Sequence, residues 1–105
     1  NGAPYPKWQK APFNGDWACS LIASQDALAA DAVAMDIIIG EWPEFGSLNF
    51  CDEYLREAAT IPNVPSGTVY KINGKPITMP LGLMEHWNNP IDKKYTAIDL
   101  VYKKM

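Results

Sequence analysis

Cysteine and histidine are scarce here, with two cysteines and one histidine in 105 residues. Cys19 and Cys51 stand alone, with no C-x-x-C pair. This excludes a zinc ribbon, a thioredoxin-type motif or an iron–sulfur site built from this chain by itself. Free cysteine is among the most buried residue types, so the two are read as buried thiols. No apolar run approaches the roughly 18 residues of a membrane span; the longest candidate, residues 27–39, is short and holds Asp31 and Asp36. No signal-peptide pattern is present. The chain opens at Asn1 instead of Met, read as a processed, trimmed or excised start. The compartment is left open between exported, periplasmic and cytoplasmic.

Basic charge of any density is missing too. Nine Lys and Arg stand against twelve Asp and Glu, net charge −3, and only Lys93-Lys94 and Lys103-Lys104 are paired. A nucleic-acid partner needs a basic face, so that class is set aside. No glycine-rich phosphate loop exists, since Gly40, Gly46, Gly67, Gly74 and Gly82 are isolated turn positions. Ala23-Ser24-Gln25 is not the G-x-S-x-G of a nucleophile elbow. The cofactor, if any, is left unknown.

What the chain does have is hydrophobic content of 48%, enough for one core and too much for disorder. One domain is expected over residues 1–105. Residues 1–18, with Pro4, Pro6 and Pro12 among Trp8, Phe13 and Trp17, read as an extended arm that anchors by its aromatics. Cys19 to Ala23 reads as a short buried strand. Ser24 and Asp26 compete to cap a helix that runs to about Ile39, with Gly40 as its C′ residue and Pro43 ensuring its end. Ala27 to Ile39 carries only Asp31 and Asp36 as polar residues. A helix apolar on every side must be buried or packed on a partner. Cover is expected from the aromatic arm, from the remainder of a longer parent protein, or from a second copy in a homo-oligomer.

Asn49 can cap a second helix. Phe50, Cys51, Tyr54, Leu55, Ala58 and Ala59 form its apolar stripe, opposite Asp52, Glu53, Arg56 and Glu57. Asp52–Arg56 and Glu53–Arg56 are spaced as weak surface pairs. Pro62 and Pro65 end the helix. Thr68–Ile72, Asn73-Gly74 and Lys75–Met79 spell a β-hairpin with a type I′ turn, and Pro76 places its second strand at an edge. Met84 to Pro90 is a loop. Thr96 to Tyr102 alternates as a final strand. The expected class is α/β or α+β, with a small mixed sheet, a hairpin and two main helices.

Three stretches carry a family resemblance. PFNGDWACSLIASQDALAAD at 12–31 is similar to a tryptophan, strand and S-x-D-P-x-A-x-D segment. YLREAA at 54–59 follows a helix of matching placement. GLMEHWNNPIDKKY at 82–95 is similar to a G-V-x-E-H-W-N-N-P-x-D-K-x-Y signature, the most specific of the three. Together they resemble the C-terminal part of the bacterial domain-of-unknown-function family 362 (DUF362), over nearly the whole chain. The pattern departs at Ala27, where Pro is favoured, and from Thr96 onward, where a glycine-containing stretch is expected. The resemblance implies part of a longer fold. Some family members accompany ferredoxin-like segments, which implies redox chemistry, and others look exported without them.

The polar residues of that last stretch are the natural site candidates. His86 with Glu85 can act as acid/base or contribute to a metal or redox half-site. Trp87, Asn88, Asn89 and Asp92 can line a ligand site. The competing reading makes Asn88, Asn89 and Asp92 Asx-turn residues that tie the loop backbone, with Trp87 as its anchor. Asp31, an acid inside an apolar helix, needs a partner and is the third catalytic candidate. One histidine with no second His or Cys ligand gives no transition-metal site, so none is assigned. Three functions follow: a structural or interaction portion of a larger protein, a half-site of a redox or metal-dependent enzyme, or a module that binds carbohydrate or another small ligand.

Overall fold

The computed structural model describes residues 7–43 and 49–103, with Asn49 and Phe50 described by backbone alone. The Pro4–Pro6 end of the arm, the capping role of Asn49 and the place of Phe50 on its stripe lie outside the described residues. The fold is α+β. Helix α1 (Ala27–Glu41) packs on α2 (Asn49–Thr60), and a hairpin follows, with β1 (Lys71–Ile72) antiparallel to β2 (Lys75–Pro76). No helix among the described residues is long and apolar enough to cross a membrane.

Asp26 wins the competition to cap α1. Its carboxylate accepts from Ala29 N (2.9 Å), while Ser24 Oγ steps back to accept from Asp26 N (2.9 Å). The helix runs through Gly40 and ends with Trp42 as its cap residue, so Gly40 is a helical residue and not the C′ glycine. Leu28, Ala32, Met35 and Leu55 form the buried core, with Ile39, Ala58, Ala59, Met84 and Ile98 packed against it. The arm covers the C-terminal end of α1. Lys10 N donates to the buried Glu41 carboxylate (2.9 Å), and the Trp8 ring meets Trp42 edge-on at 4.8 Å.

Several expected features are absent. Cys19–Ala23 is no buried strand: all five residues are exposed, Leu21 to 93%. Thr96–Tyr102 is no strand either, because its first three amides turn to the Glu85 carboxylate instead of a neighbouring chain. Among the described residues the expected mixed sheet is reduced to an antiparallel hairpin, apart from an isolated Trp8–Asp16 bridge; it is shorter than the sequence pattern but turned at Asn73 (φ 53°) and Gly74 (φ 78°) as expected. Both cysteines are free and exposed, not buried. Cys19 sits in the uncovered segment. Cys51 lies on the first turn of α2, and Tyr54, about 140° around the helix from Ala59, is 80% exposed. The α2 stripe is thus narrower than predicted, centred on Leu55 and Ala59.

Gly82 marks a close approach. A Cβ there would overlap Asp26 Oδ1 and lie 2.8 Å from Leu28 Cβ. Leu83 N, the next amide, donates to Asp26 Oδ2 (2.9 Å), so Asp26 joins the start of α1 to the start of the 82–98 loop. These amides hold the Asp26 carboxyl below its ordinary range, Ala29 foremost. Gly82→Ala must displace this cap, and a lost cap is worth up to about 2 kcal/mol. A thermal melt of the variant is expected to show a loss of at least about 1 kcal/mol; an unchanged midpoint would mean the loop shifts freely on α1.

Candidate functional site

The run from Glu85 to Ile98 is closed by its own polar side chains. Glu85 accepts from Thr96 N (2.5 Å), Thr96 Oγ1 (2.5 Å), Ala97 N (2.8 Å) and Ile98 N (3.0 Å). Hydrogen bonds from Thr96 are the main reason its pKa falls to about 2. Asn88 Oδ1 accepts from Asn89 N (2.7 Å) and Lys94 N (3.0 Å). Asn89 Oδ1 accepts from Ile91 N (2.9 Å) and Asp92 N (2.7 Å), and its amide donates to Asp92 Oδ2 (3.0 Å). These are the Asx-type closures that Asn and Asp make in tight turns. Lys93, at φ 54°, folds its ammonium onto the Ile91 carbonyl (2.9 Å).

This closed loop is held to the helices by His86 and Trp87. Asp36, 4% exposed on α1, is the anchor. Its Oδ1 lies 2.7 Å from His86 Nδ1. Its Oδ2 accepts from Trp87 N (2.9 Å) and from the Tyr95 hydroxyl (2.7 Å). On the other side of the ring, His86 Nε2 lies 2.6 Å from Asp52 Oδ1, and Asp52 Oδ2 accepts from Arg56 Nη2 (3.1 Å). A continuous chain of contacts thus runs from Tyr95 through Asp36, His86 and Asp52 to Arg56, tying α1, the loop and α2 together.

The electrostatics follow from that chain. Partial burial pulls the His86 pKa down, but hydrogen bonds and charges from Asp36 and Asp52 outweigh it, and the net shift is upward. Burial raises the Asp52 carboxyl; Arg56 and His86 more than reverse this, and it ends below its ordinary value. Burial, then the bond to Asp36, pushes the Tyr95 phenol far above its ordinary value, so it stays a donor.

The nominated residues separate into two groups. Glu85, His86, Trp87, Asn88, Asn89 and Asp92 do come together, but as one closed loop whose polar atoms face each other and the helices. Asp31 does not join them. It is exposed, and the acid buried within the apolar helix is Asp36. The choice turns on which side of α1 faces α2. Asp36 follows Leu28, Ala32 and Met35 on the buried face, but Ile37, Ile38 and Ile39 make every side apolar and hide that face from a sequence pattern. Asp52, read as a surface partner of Arg56, keeps that pair and gains His86.

Among the described residues no group of three or more His, Cys, Asp or Glu is arranged to hold a metal ion. A shallow groove of about 210 Å³, lined by Arg56, Ala59, Thr60, Gly82, Leu83 and Met84, contains none of the nominated residues.

Fold and site together define a small α+β unit in which a polar loop clasps two helices. No protein-family model, curated protein or solved structure matches the chain.

Proposed function

We propose that the chain is a structural, interaction-bearing portion of a larger protein of the kind the family-362 resemblance describes, with the E-H-W-N-N-P loop as its internal clasp. The observation that carries this reading is uncovered apolar side chains. Among the described residues Leu21 and Ile22 on one stretch, and Met79, Leu81 and Leu83 on another, are exposed, and so are Ile91 and Val101. Runs of exposed apolar side chains support a contact made with something outside the chain.

The half-site reading draws on one feature, an imidazole oriented by a buried carboxylate, as at metal and hydrolytic centres. Here Nε2, the nitrogen that would react or ligate, is taken by Asp52. The carbohydrate reading is left with Trp17, 45% exposed, as its platform, since Trp8 packs on Phe13 and Trp42, and Trp87 packs toward Tyr95.

Sedimentation of the full chain, with binding of an anilinonaphthalene dye, tests the proposal. Self-association, or a monomer that binds the dye strongly, is expected. A strict monomer that leaves the dye dark would remove the basis for an interaction surface.

A further inference from the structure

His86 is gripped from two sides that differ in their access to water. On the α1 side, Nδ1 lies 2.7 Å from Asp36 Oδ1, and the Asp36 side chain is 5% exposed. On the α2 side, Nε2 lies 2.6 Å from Asp52 Oδ1, and the Asp52 side chain is 27% exposed. The ring itself is 44% exposed, so protons from solvent reach it. Among the described residues these two carboxylates are the charged groups bonded to the ring. Arg56 stands behind Asp52 on α2, and Tyr95 stands behind Asp36 from the far end of the loop. Glu85, the ring's neighbour in sequence, is turned to the amides of residues 96–98. Partial burial opposes a charge on the ring, the two carboxylates outweigh it, and the ring titrates above its ordinary 6.5.

An imidazolium donates to both carboxylates. A neutral imidazole keeps one N–H and turns a lone pair on the other acceptor. Burial decides which contact fails. Without Nδ1–H, Asp36 would set its buried Oδ1 against a lone pair where water has little access, and a buried charge left without its donor is the costlier loss. Asp52 is open enough for water to replace the ring, and it keeps Arg56 at 3.1 Å. It also stands in the first turn of α2, where negative charge is favoured. We infer that the loop is a one-sided pH latch: on losing its proton, His86 keeps Nδ1–H on Asp36 and lets go of Asp52, so the loop stays on α1 and loosens from α2 at the ring. The other ties are independent of the ring proton. The Trp87 amide and the Tyr95 hydroxyl hold the loop to Asp36, and Leu83 N holds it to Asp26. Leu81 N donates to the Ala58 carbonyl (3.0 Å) and pins the start of the loop to α2. The loosening is thus confined to the seam between α2 and Met84–His86, the seam along which Arg56, Leu83 and Met84 line the shallow groove. The latch is internal to the chain and stands whether or not its surface has a partner.

The test is NMR of the full chain from about pH 5 to about pH 9, on the wild type and on Asp52→Asn. Ring nitrogen shifts read the tautomer, and through-space contacts from the ring protons to the side chains at 36 and 52 read each side of the latch. The wild type is expected to titrate above 6.5 and to hold the Nδ1–H tautomer at high pH. Its ring contacts to Asp52 are expected to fade at that midpoint, while those to Asp36 and the shift of the Trp87 amide persist. An Nε2–H tautomer at high pH overturns the inference. So do contacts to Asp52 that survive the titration, or contacts to Asp36 that fade with them. Asp52→Asn keeps the size of a partly exposed side chain, and the surface pair with Arg56 that it gives up is worth little. Its His86 midpoint is expected to fall by roughly half a unit, for the loss of one partly exposed charge partner. Its side-chain amide can donate to the neutral Nε2, so ring contacts to position 52 are expected to persist across the whole range. A variant that releases the ring at the wild-type midpoint overturns the latch.

Discussion

Asp36→Ala is expected to lower the unfolding free energy by about 3–5 kcal/mol, the range for breaking a buried charged network by removing one partner. Three donors lose their acceptor at once: the His86 ring, the Trp87 amide and the Tyr95 hydroxyl. Any of these left buried without a partner costs about 1–3 kcal/mol. A total stability of about 5–15 kcal/mol is usual for a domain, so the loss is a large part of it. Asp31→Ala is the matched control, the same chemical change on the same helix at an exposed position. It is expected to stay within about 0.5 kcal/mol of wild type. Urea unfolding decides between them. A lower midpoint with an unchanged slope for Asp36→Ala alone assigns the effect to the clasp. Equal midpoints for the two variants would show that Asp36 does not hold the loop.

Stability is expected to fall as pH rises past neutrality, and His86 is the cause. Both ring nitrogens lie 2.6–2.7 Å from carboxylate oxygens, which only accept, so the clasp is fully formed when both nitrogens carry protons. The imidazolium is favoured in the fold, and the folded pKa stands above the ordinary 6.5. The contribution is complete below about pH 6.5 and is lost as pH rises through the folded value. Asp52 sets a limit of opposite sign. Its folded pKa lies below the ordinary 3.8, so its contribution is present above that value and is lost as pH falls through the folded one. Glu85 behaves in the same sense, from an ordinary 4.5 down to about 2. The stability plateau therefore spans about pH 4.5 to 6.5. Urea midpoints across pH, for wild type and His86→Gln, check this. The variant is expected to lose the decline above neutrality while keeping the acid limb. A direct proton NMR titration giving His86 a pKa below 6.5 would sink the argument.

How much of this was legible in the sequence varies with the range of the interaction. The caps and turns are local. Asp26 at the start of α1, Asn73-Gly74 in the hairpin and the Asx closures of Asn88 and Asn89 depend on neighbours a few residues away, and each stands where the residue type puts it. The strands were not legible. Cys19–Ala23 and Thr96–Tyr102 have strand-like composition, but a strand exists only when another backbone pairs with it, and none in the described residues does. The same reason misplaces Cys19, whose burial needs a covering layer its segment lacks; Cys51 is exposed on the first turn of α2.

The site divides in the same way. That Glu85, His86, Asn88, Asn89 and Asp92 belong together is written in their proximity along the chain. That Asp36 and not Asp31 meets His86 is a matter of which side of an all-apolar helix turns toward α2, fifty residues away from the histidine. The sequence by itself determined the two helices, their caps, the hairpin turn and the self-closing loop, because local hydrogen bonds and backbone preferences set them. Only the tertiary structure decided which carboxylates the loop grips and which apolar segments stay uncovered. Both depend on contacts between distant residues, whose geometry no local pattern carries.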